Sequence, residues 1–325
     1  MASVFHNKTL LITGGTGTFG RAFAKKLLEK DEIEKIIIFS RDELKQWELQ
    51  QEDPIFSSKK ARFFLGDVRD PLRLKRAFHG VDLILHAAAL KQVPAAEYNP
   101  SEFIQTNIHG AMNVIDAAID AKVEKCIALS TDKAVNPINL YGATKLCAEK
   151  LFAAAKSYVG KEHHPIFAAV RYGNVLGSRG SLLPVWQRHI ERGEKELPIT
   201  DETMTRFWIT LNDAVLFVEN CFESMRGEEI FIPKIPSFYI KDLATAYAPD
   251  MPLKSIGIRP GEKIHETLIA KEENSSCFEK EKAYAILPKD HTQYDGGRKV
   301  AENFSLISDN NPLFTQDIET IKKLI

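Results

Sequence analysis

Tyr141 and Lys145 stand four residues apart in Tyr141-Gly-Ala-Thr-Lys145, a spacing that puts both side chains on one face of a helix. A free phenol loses its proton at a pKa of ~10, so a tyrosine that gives up a proton near neutral pH needs help. A neighbouring ammonium and a cationic nicotinamide both favour the phenolate. Lys145 also has the length to hold a nicotinamide ribose. Tyr and Lys at this spacing recur by chance on helices, so the pair gains its weight from what precedes it. The strand-like run Cys126 to Leu129 delivers Ser130-Thr131 to the same edge of a sheet, and Thr131 there offers a hydroxyl to a substrate alcohol.

The elements that would position these groups begin at the N-terminus. Strand-like runs at Thr9 to Thr13, Ile36 to Phe39, Ala61 to Leu65, Leu83 to His86, Cys126 to Leu129 and Ile166 to Arg171 alternate with helical patterns. The helices are expected around Arg21 to Lys30, Pro71 to Phe78, Phe103 to Ala121 and Tyr141 to Ser157. Such alternation predicts an α/β fold with a doubly wound parallel (Rossmann) sheet and ligands outside the carboxyl ends of its strands. After about Asn174, Gly177, Gly180, Pro184, Gly193 and Pro198 punctuate the chain, and a smaller C-terminal α/β substrate-binding portion is expected there. A helix at Asn212 to Met225 and a strand at Glu229 to Pro233 suggest a return to the first unit. The expected division is therefore 1–175 plus about 211–234 for cofactor, and about 176–210 plus 235–325 for substrate. The polar stretch Lys271 to Lys282 reads as a loop or solvated helix.

Between the first strand and first helix lies Thr13-Gly14-Gly15-Thr16-Gly17-Thr18-Phe19-Gly20. Glycines let a pyrophosphate approach the backbone, and the following helix offers free N–H groups and the positive end of its dipole. Gly14, Thr16, Gly17, Thr18, Phe19 and Gly20 are thus expected to bind a dinucleotide; strand, glycines and helix in this order outweigh a ligand-free tight turn. The second strand ends in Ser40-Arg41-Asp42, with Lys45 a turn further on. Ser40, Arg41 and Lys45 suit a ribose 2′-phosphate and favour NADP, while Asp42 leaves NAD open. Asp67 and Val68, after the third strand, are expected against the adenine, and Ala87, Ala88 and Ala89 are small where the cofactor passes the next strand.

The 325-residue chain has 43 basic and 44 acidic residues, so no long-range field points to nucleic acid or a membrane surface. Cys126, Cys147, Cys221 and Cys277 show neither metal-site spacing nor a disulfide framework, which favours reduced thiols in a cytoplasmic setting. No signal peptide or membrane-spanning run is evident, and His86, His109 and His265 have no ligand spacing, so no metal is assigned.

From the glycine loop to about Asn174 the chain resembles the extended short-chain dehydrogenase/reductase family. Nucleotide-sugar 4,6-dehydratases in that family typically carry Thr-Asp-Glu where this chain has Thr131-Asp132-Lys133. That departure looks like the inverting UDP-N-acetylglucosamine 4,6-dehydratases of pseudaminic acid biosynthesis. So do Leu90-Lys91-Gln92-Val93-Pro94, Arg171-Tyr172-Gly173-Asn174-Val175, Met204-Thr205-Arg206-Phe207 and Arg259-Pro260-Gly261-Glu262-Lys263. The resemblance covers about Thr9 to Ile269, and the tail beyond Lys271 adds little to it. It implies that Tyr141 takes a proton from the sugar 4-hydroxyl, that Lys133 as a neutral amine removes the C5 proton, and that protonated Asp132 donates to the departing 6-hydroxyl. Lys133 must then lose its proton well below the ordinary ~10.4, through burial and nearby positive charge. Tyr172, Asn174, Arg206, Arg259, Glu262 and Lys91 are implied to contact the UDP-sugar, with arginines suiting its diphosphate. A homodimer or an assembly of dimers, up to a hexamer, is also implied by resemblance. The competing readings are an epimerase or reductase of the same family, which needs no acid beside a base at the strand end, and a non-catalytic NADP-binding sensor, which would tolerate loss of Tyr141.

Overall fold

The structure is a computed structural model and describes residues 3–159, 165–288, 291 and 293–325. Its centre is a sheet built on β1 (Thr9–Thr13), β2 (Lys35–Ser40), β3 (Ala61–Leu65), β4 (Leu83–His86), β5 (Lys125–Leu129) and β6 (Ile166–Val170). These lie in the order β3-β2-β1-β4-β5-β6, all parallel, so the order reverses between β1 and β4. Every residue of β1 is buried because both faces of the sheet are covered. Its side chains alternate: Leu10 and Ile12 pack with Phe23 and Leu27 of helix α1 (Thr18–Lys30), whereas Leu11 packs with Val114 and Phe152 on the other face. The fold is α/β and Rossmann-like, as the alternation of runs predicts.

Helix Leu211–Ser224 returns to the first face, where Val218 and Phe222 join the cluster around Phe23, and strand Ile230–Pro233 adds in parallel beside β6. The tail does more than the sequence suggests. Cys277–Glu279, Ala283–Ile286 and Arg298–Lys299 extend the central sheet antiparallel, giving it ten strands among the described residues. The stretch expected to be a loop or solvated helix is therefore a short 3₁₀ turn, Lys271–Ser276, running into a sheet strand whose Cys277 and Phe278 are buried. A division of the chain at residue 235 does not follow the sheet. The helix expected over Phe103 to Ala121 is interrupted by a π-helical stretch, Ile104–His109, before Gly110–Asp120.

The smaller portion packs around Trp186, Trp208, Phe238 and Leu243. Its three-stranded sheet joins Ser237–Tyr239, Thr205–Ile209 and Asn174–Val175, and Leu197–Ile199 pairs with Leu253–Ser255. No helix among the described residues is long and apolar enough to cross a membrane.

Candidate active site

A cavity of about 1350 Å³ runs from the carboxyl ends of β1, β2, β4 and β5 to the smaller portion. At one end is the glycine loop. Gly14 takes φ +67°, and a β-carbon there would stand 2.9 Å from the Ala88 backbone, so only glycine lets the loop lie against the end of β4. Helix α1 starts immediately after Gly17 with no side-chain cap, leaving its first N–H groups to an anion. Gly14, Thr16, Gly17, Thr18, Phe19 and Gly20 all line the cavity, as do Val68, Ala87, Ala88 and Ala89. The alanine segment is held from behind by Asn107 of the π-helical stretch, whose amide bonds both the N–H and the carbonyl of Leu90 (2.8 and 2.9 Å) and the Thr144 hydroxyl (3.0 Å).

Ser40, Arg41 and Lys45 also line this end. Asp42 caps helix α2 (Glu43–Glu52): its carboxylate accepts from the Lys45 N–H at 3.1 Å and from the Lys45 amine at 2.5 Å. Asp67 departs from expectation. It is not among the residues lining the cavity; Arg69 takes its carboxylate through Nε and Nη2, and Arg41 Nη1 lies 3.6 Å away.

Helix Leu140–Ala154 carries Tyr141 and Lys145 into the same wall and is capped by Asn139, which accepts from the Gly142 N–H at 2.7 Å. The Asn139 amide also donates to the Gly261 carbonyl at 2.7 Å, fastening the Arg259–Lys263 turn to the start of this helix. At the end of β5, Thr131 caps the 3₁₀ turn Asp132–Ala134. The Lys133 amine donates to Asp132 Oδ1 at 3.0 Å, and the Thr131 hydroxyl donates to the same oxygen at 2.9 Å. Thr131 and Lys133 line the cavity, whereas Asp132 lies behind them, fully buried, with Oδ2 lacking any hydrogen-bond partner.

Burial and neighbouring charges set the resting protonation of these groups. Burial alone would depress Lys133, but the Asp132 and Glu266 carboxylates outweigh it and push the amine above its ordinary value, so it rests as an ammonium. Burial likewise pushes the Tyr141 phenol up to about 12, although the Lys133 charge and a hydrogen bond with Thr131 pull the other way. Lys145 behaves as a buried amine, pushed down to about 8 with Glu149 opposing.

Lys91, Tyr172, Asn174, Arg206, Arg259 and Glu262 line the substrate side. Tyr172 stacks on Phe19 of the glycine loop with ring centroids 6.1 Å apart. Arg259 pairs with Glu262. The guanidinium of Arg206 donates to the carbonyls of Thr205 (2.7 Å), Ile264 (2.9 Å) and Lys263 (2.9 Å) and so holds the 263–264 segment against the cavity.

Arg179 and Glu266 are among the lining residues that escape the sequence reading. Arg179 crosses from the smaller portion to the glycine loop, its N–H donating to the Thr18 hydroxyl at 3.2 Å and its guanidinium to the Thr16 carbonyl. Its flanking Gly177 and Gly180 register only as loop punctuation. Glu266 is 2% exposed and places Oε1 3.3 Å from the Lys133 amine; its one sequence signal is a carboxylate just past the Arg259–Lys263 motif.

Residues 10–288 match the model of a family described as polysaccharide biosynthesis protein. The chain is 53% identical to the inverting UDP-N-acetylglucosamine 4,6-dehydratase of Campylobacter jejuni subsp. jejuni serotype O:2, covering 98% of each chain. It is 42% identical to a protein of Rickettsia felis named UDP-glucose 4-epimerase, over 99% of this chain and 96% of the relative. Among solved structures it matches Pen from Bacillus thuringiensis with a TM-score of 0.91 and 36% identity, covering 99% of this chain and 98% of that one. The chain belongs to the polysaccharide biosynthesis family of short-chain dehydrogenase/reductase-like proteins.

Proposed function

We propose that the protein is a C5-inverting UDP-N-acetylglucosamine 4,6-dehydratase working with bound NADP. The observation that carries this reading is the Lys133–Asp132 pair, 3.0 Å apart at the end of β5 and in the same site as Tyr141. An epimerase needs a proton acceptor for one alcohol, whereas elimination needs an acid and a base together. The 53% identity to a relative named for this reaction supports the same reading.

The wall fits a dinucleotide because the Gly14 loop can lie against Ala88 only without a β-carbon, and because helix α1 opens toward the cavity uncapped. Gly14 to Gly20 would hold the pyrophosphate and Lys145 the nicotinamide ribose. The engagement of Asp42 with Lys45 leaves that carboxylate poorly available to a ribose 2′-hydroxyl, which together with Arg41 favours the 2′-phosphate. A nicotinamide held there by Lys145 would supply a reversible hydride acceptor for the sugar.

Tyr141 takes the 4-hydroxyl proton, helped by the Lys133 charge and the Thr131 hydroxyl beside it. The resulting 4-ketone acidifies C5. A proton moving from Lys133 Nζ to Asp132 Oδ1 converts the ion pair into a neutral amine and a protonated carboxyl, the two states elimination requires. Lys133 then removes the C5 proton, the Asp132 proton reaches the departing 6-hydroxyl through the Thr131 hydroxyl that bonds Oδ1 and lines the cavity, and reprotonation of C5 from the opposite face inverts that centre.

The test is incubation of purified protein with UDP-N-acetylglucosamine without added cofactor, followed by NMR. A 4-keto-6-deoxy product with inverted C5 is expected. An intact hexose altered only at C4 would instead identify an epimerase, the activity for which the Rickettsia felis relative is named, and no turnover with retained NADP would identify a sensor.

A further inference from the structure

Glu266 belongs to none of the roles above, yet it is a buried carboxylate in the wall of the site. Its backbone is fixed independently of its side chain: the Glu266 N–H donates to the Ser308 hydroxyl at 2.9 Å and its carbonyl accepts from the Ser308 N–H at 2.8 Å. The Ser308 hydroxyl in turn meets the Thr205 hydroxyl at 2.6 Å, which also bonds His265 Nδ1. The side chain is therefore delivered into the site by a rigid mount. Oε1 lies 3.3 Å from Lys133 Nζ, while Oε2 is buried with no hydrogen-bond partner and stands 3.8 Å from Lys263 Nζ. A carboxylate placed only to stabilise the fold would be expected to have both oxygens satisfied.

The charged groups that face Glu266 are few. The turn after β5 presents Lys133 with Asp132 behind it, strand Thr205–Ile209 presents Arg206 with Nε 4.0 Å away, and its own segment presents Lys263. Lys263 also donates to the Val135 carbonyl, and the Tyr141 phenol senses the Lys133 charge from the catalytic helix. Lys133 is thus held between two carboxylates, only one of which lies on its own turn.

We propose that Glu266 is a positioning residue that holds the Lys133 amine in the cavity wall and governs when that amine carries a proton. The inference rests on the reading of Lys133 as the C5 base. With Glu266 charged, the ammonium is favoured at rest, and the amine becomes free only after its proton passes to Asp132 during the reaction. Without that charge, Lys133 sheds its proton at lower pH.

The experiment is the pH profile of kcat with UDP-N-acetylglucosamine, read together with solvent deuterium incorporation at C5, in the full chain and in Glu266→Gln. The alkaline limb, where the proton shared by Lys133 and Asp132 is lost, is expected to move down by about 1 to 2 pH units in Glu266→Gln, as removal of an opposite charge at this distance implies. Glu266→Asp keeps the charge but draws it back, so its limb should move in the same direction by less. This second variant decides the matter if the glutamine form does not fold. A uniform fall in rate with an unmoved limb would mark Glu266 as structural and overturn the inference. Lys133→Ala separates the two failures: a variant still making product sinks the reading of Lys133 as base. A dead Lys133→Ala beside an unmoved Glu266→Gln limb sinks only the role of Glu266.

Discussion

The α-carbon of Gly142 lies directly against the carbonyl oxygen of Lys133, so close that a β-carbon added to Gly142 would stand 2.1 Å from that oxygen. The residue following Tyr141 therefore lets the turn bearing Asp132 and Lys133 press onto the helix bearing Tyr141 and Lys145. A backbone oxygen cannot yield as the tip of a flexible side chain can. Gly142→Ala is expected to push the Lys133 turn off the helix, lowering kcat by about 100-fold or more, since an ångström of misplacement has that effect. Dinucleotide affinity should stay within a few-fold, because the glycine loop is untouched. Steady-state kinetics beside a fluorescence titration of NADP would check both halves.

Cofactor choice should be separable at Arg41. It lines the cavity at the end of β2, half exposed, and its nearest acidic neighbour is Asp67 at 3.6 Å. Arg41→Ala is expected to weaken NADP about tenfold or more while leaving NAD nearly unchanged, as loss of a charge-assisted phosphate contact implies. Calorimetric titration of both dinucleotides into cofactor-stripped protein measures the ratio; equal losses for the two would remove Arg41 from 2′-phosphate recognition.

Arg171 is fully buried and donates to Glu149 of helix Leu140–Ala154 through Nε and Nη2 (3.0 and 2.7 Å) and to Glu273 of the tail through Nη1 and Nη2 (2.9 and 3.0 Å). Arg171→Met leaves two carboxylates facing each other without their cation. A loss of about 3–5 kcal/mol in urea unfolding is expected, the usual consequence of breaking a buried ion pair from one side. The triple change Arg171→Met, Glu149→Leu, Glu273→Leu should recover most of it.

His86 is buried at the end of β4, with Nδ1 on the Thr13 hydroxyl at 2.8 Å, and burial pushes it down to about 3. Between that value and the ordinary 6.5, an unfolded chain binds a proton that the folded chain refuses. Stability should therefore fall as pH drops below about 6.5, by ~1.4 kcal/mol per unit from this group, and the loss should level off near pH 3. His86→Gln should flatten that part of the stability curve measured by denaturant titration at pH 7, 6 and 5.

What the sequence reveals is whatever is local. The glycine loop announces itself because strand, turn and helix are contiguous, and Tyr141 with Lys145 because one helical turn joins them. Lys133 beside Asp132 is equally visible, but its charge state is not. That depends on Glu266, which comes from the far side of the cavity on a segment pinned by Ser308. Arg206 looks like a phosphate ligand by residue type, and its three carbonyl partners, which tie down the 263–264 segment, have no signal in the sequence. The tail misleads for a related reason. Cys277–Glu279 and Ala283–Ile286 are short strands amid charged residues, and their membership of the central sheet is set by pairing: Ala283–Ile286 with Ile230–Pro233, and Cys277–Glu279 in turn with Ala283–Ile286.

The reach of Glu273 to Arg171 also bears on biosynthesis. A nascent chain has already made β1 through β6 and helix Leu140–Ala154 before Glu273 is synthesised, and at that stage the guanidinium has Glu149 without Glu273 to neutralise it. The sheet likewise keeps an open edge at Ile230–Pro233 until Ala283–Ile286 emerges to cover it. Maturation of the parallel half of the sheet thus waits for residues 273–286, and fragments cut before residue 273 should accumulate as aggregation-prone intermediates rather than as a free-standing domain.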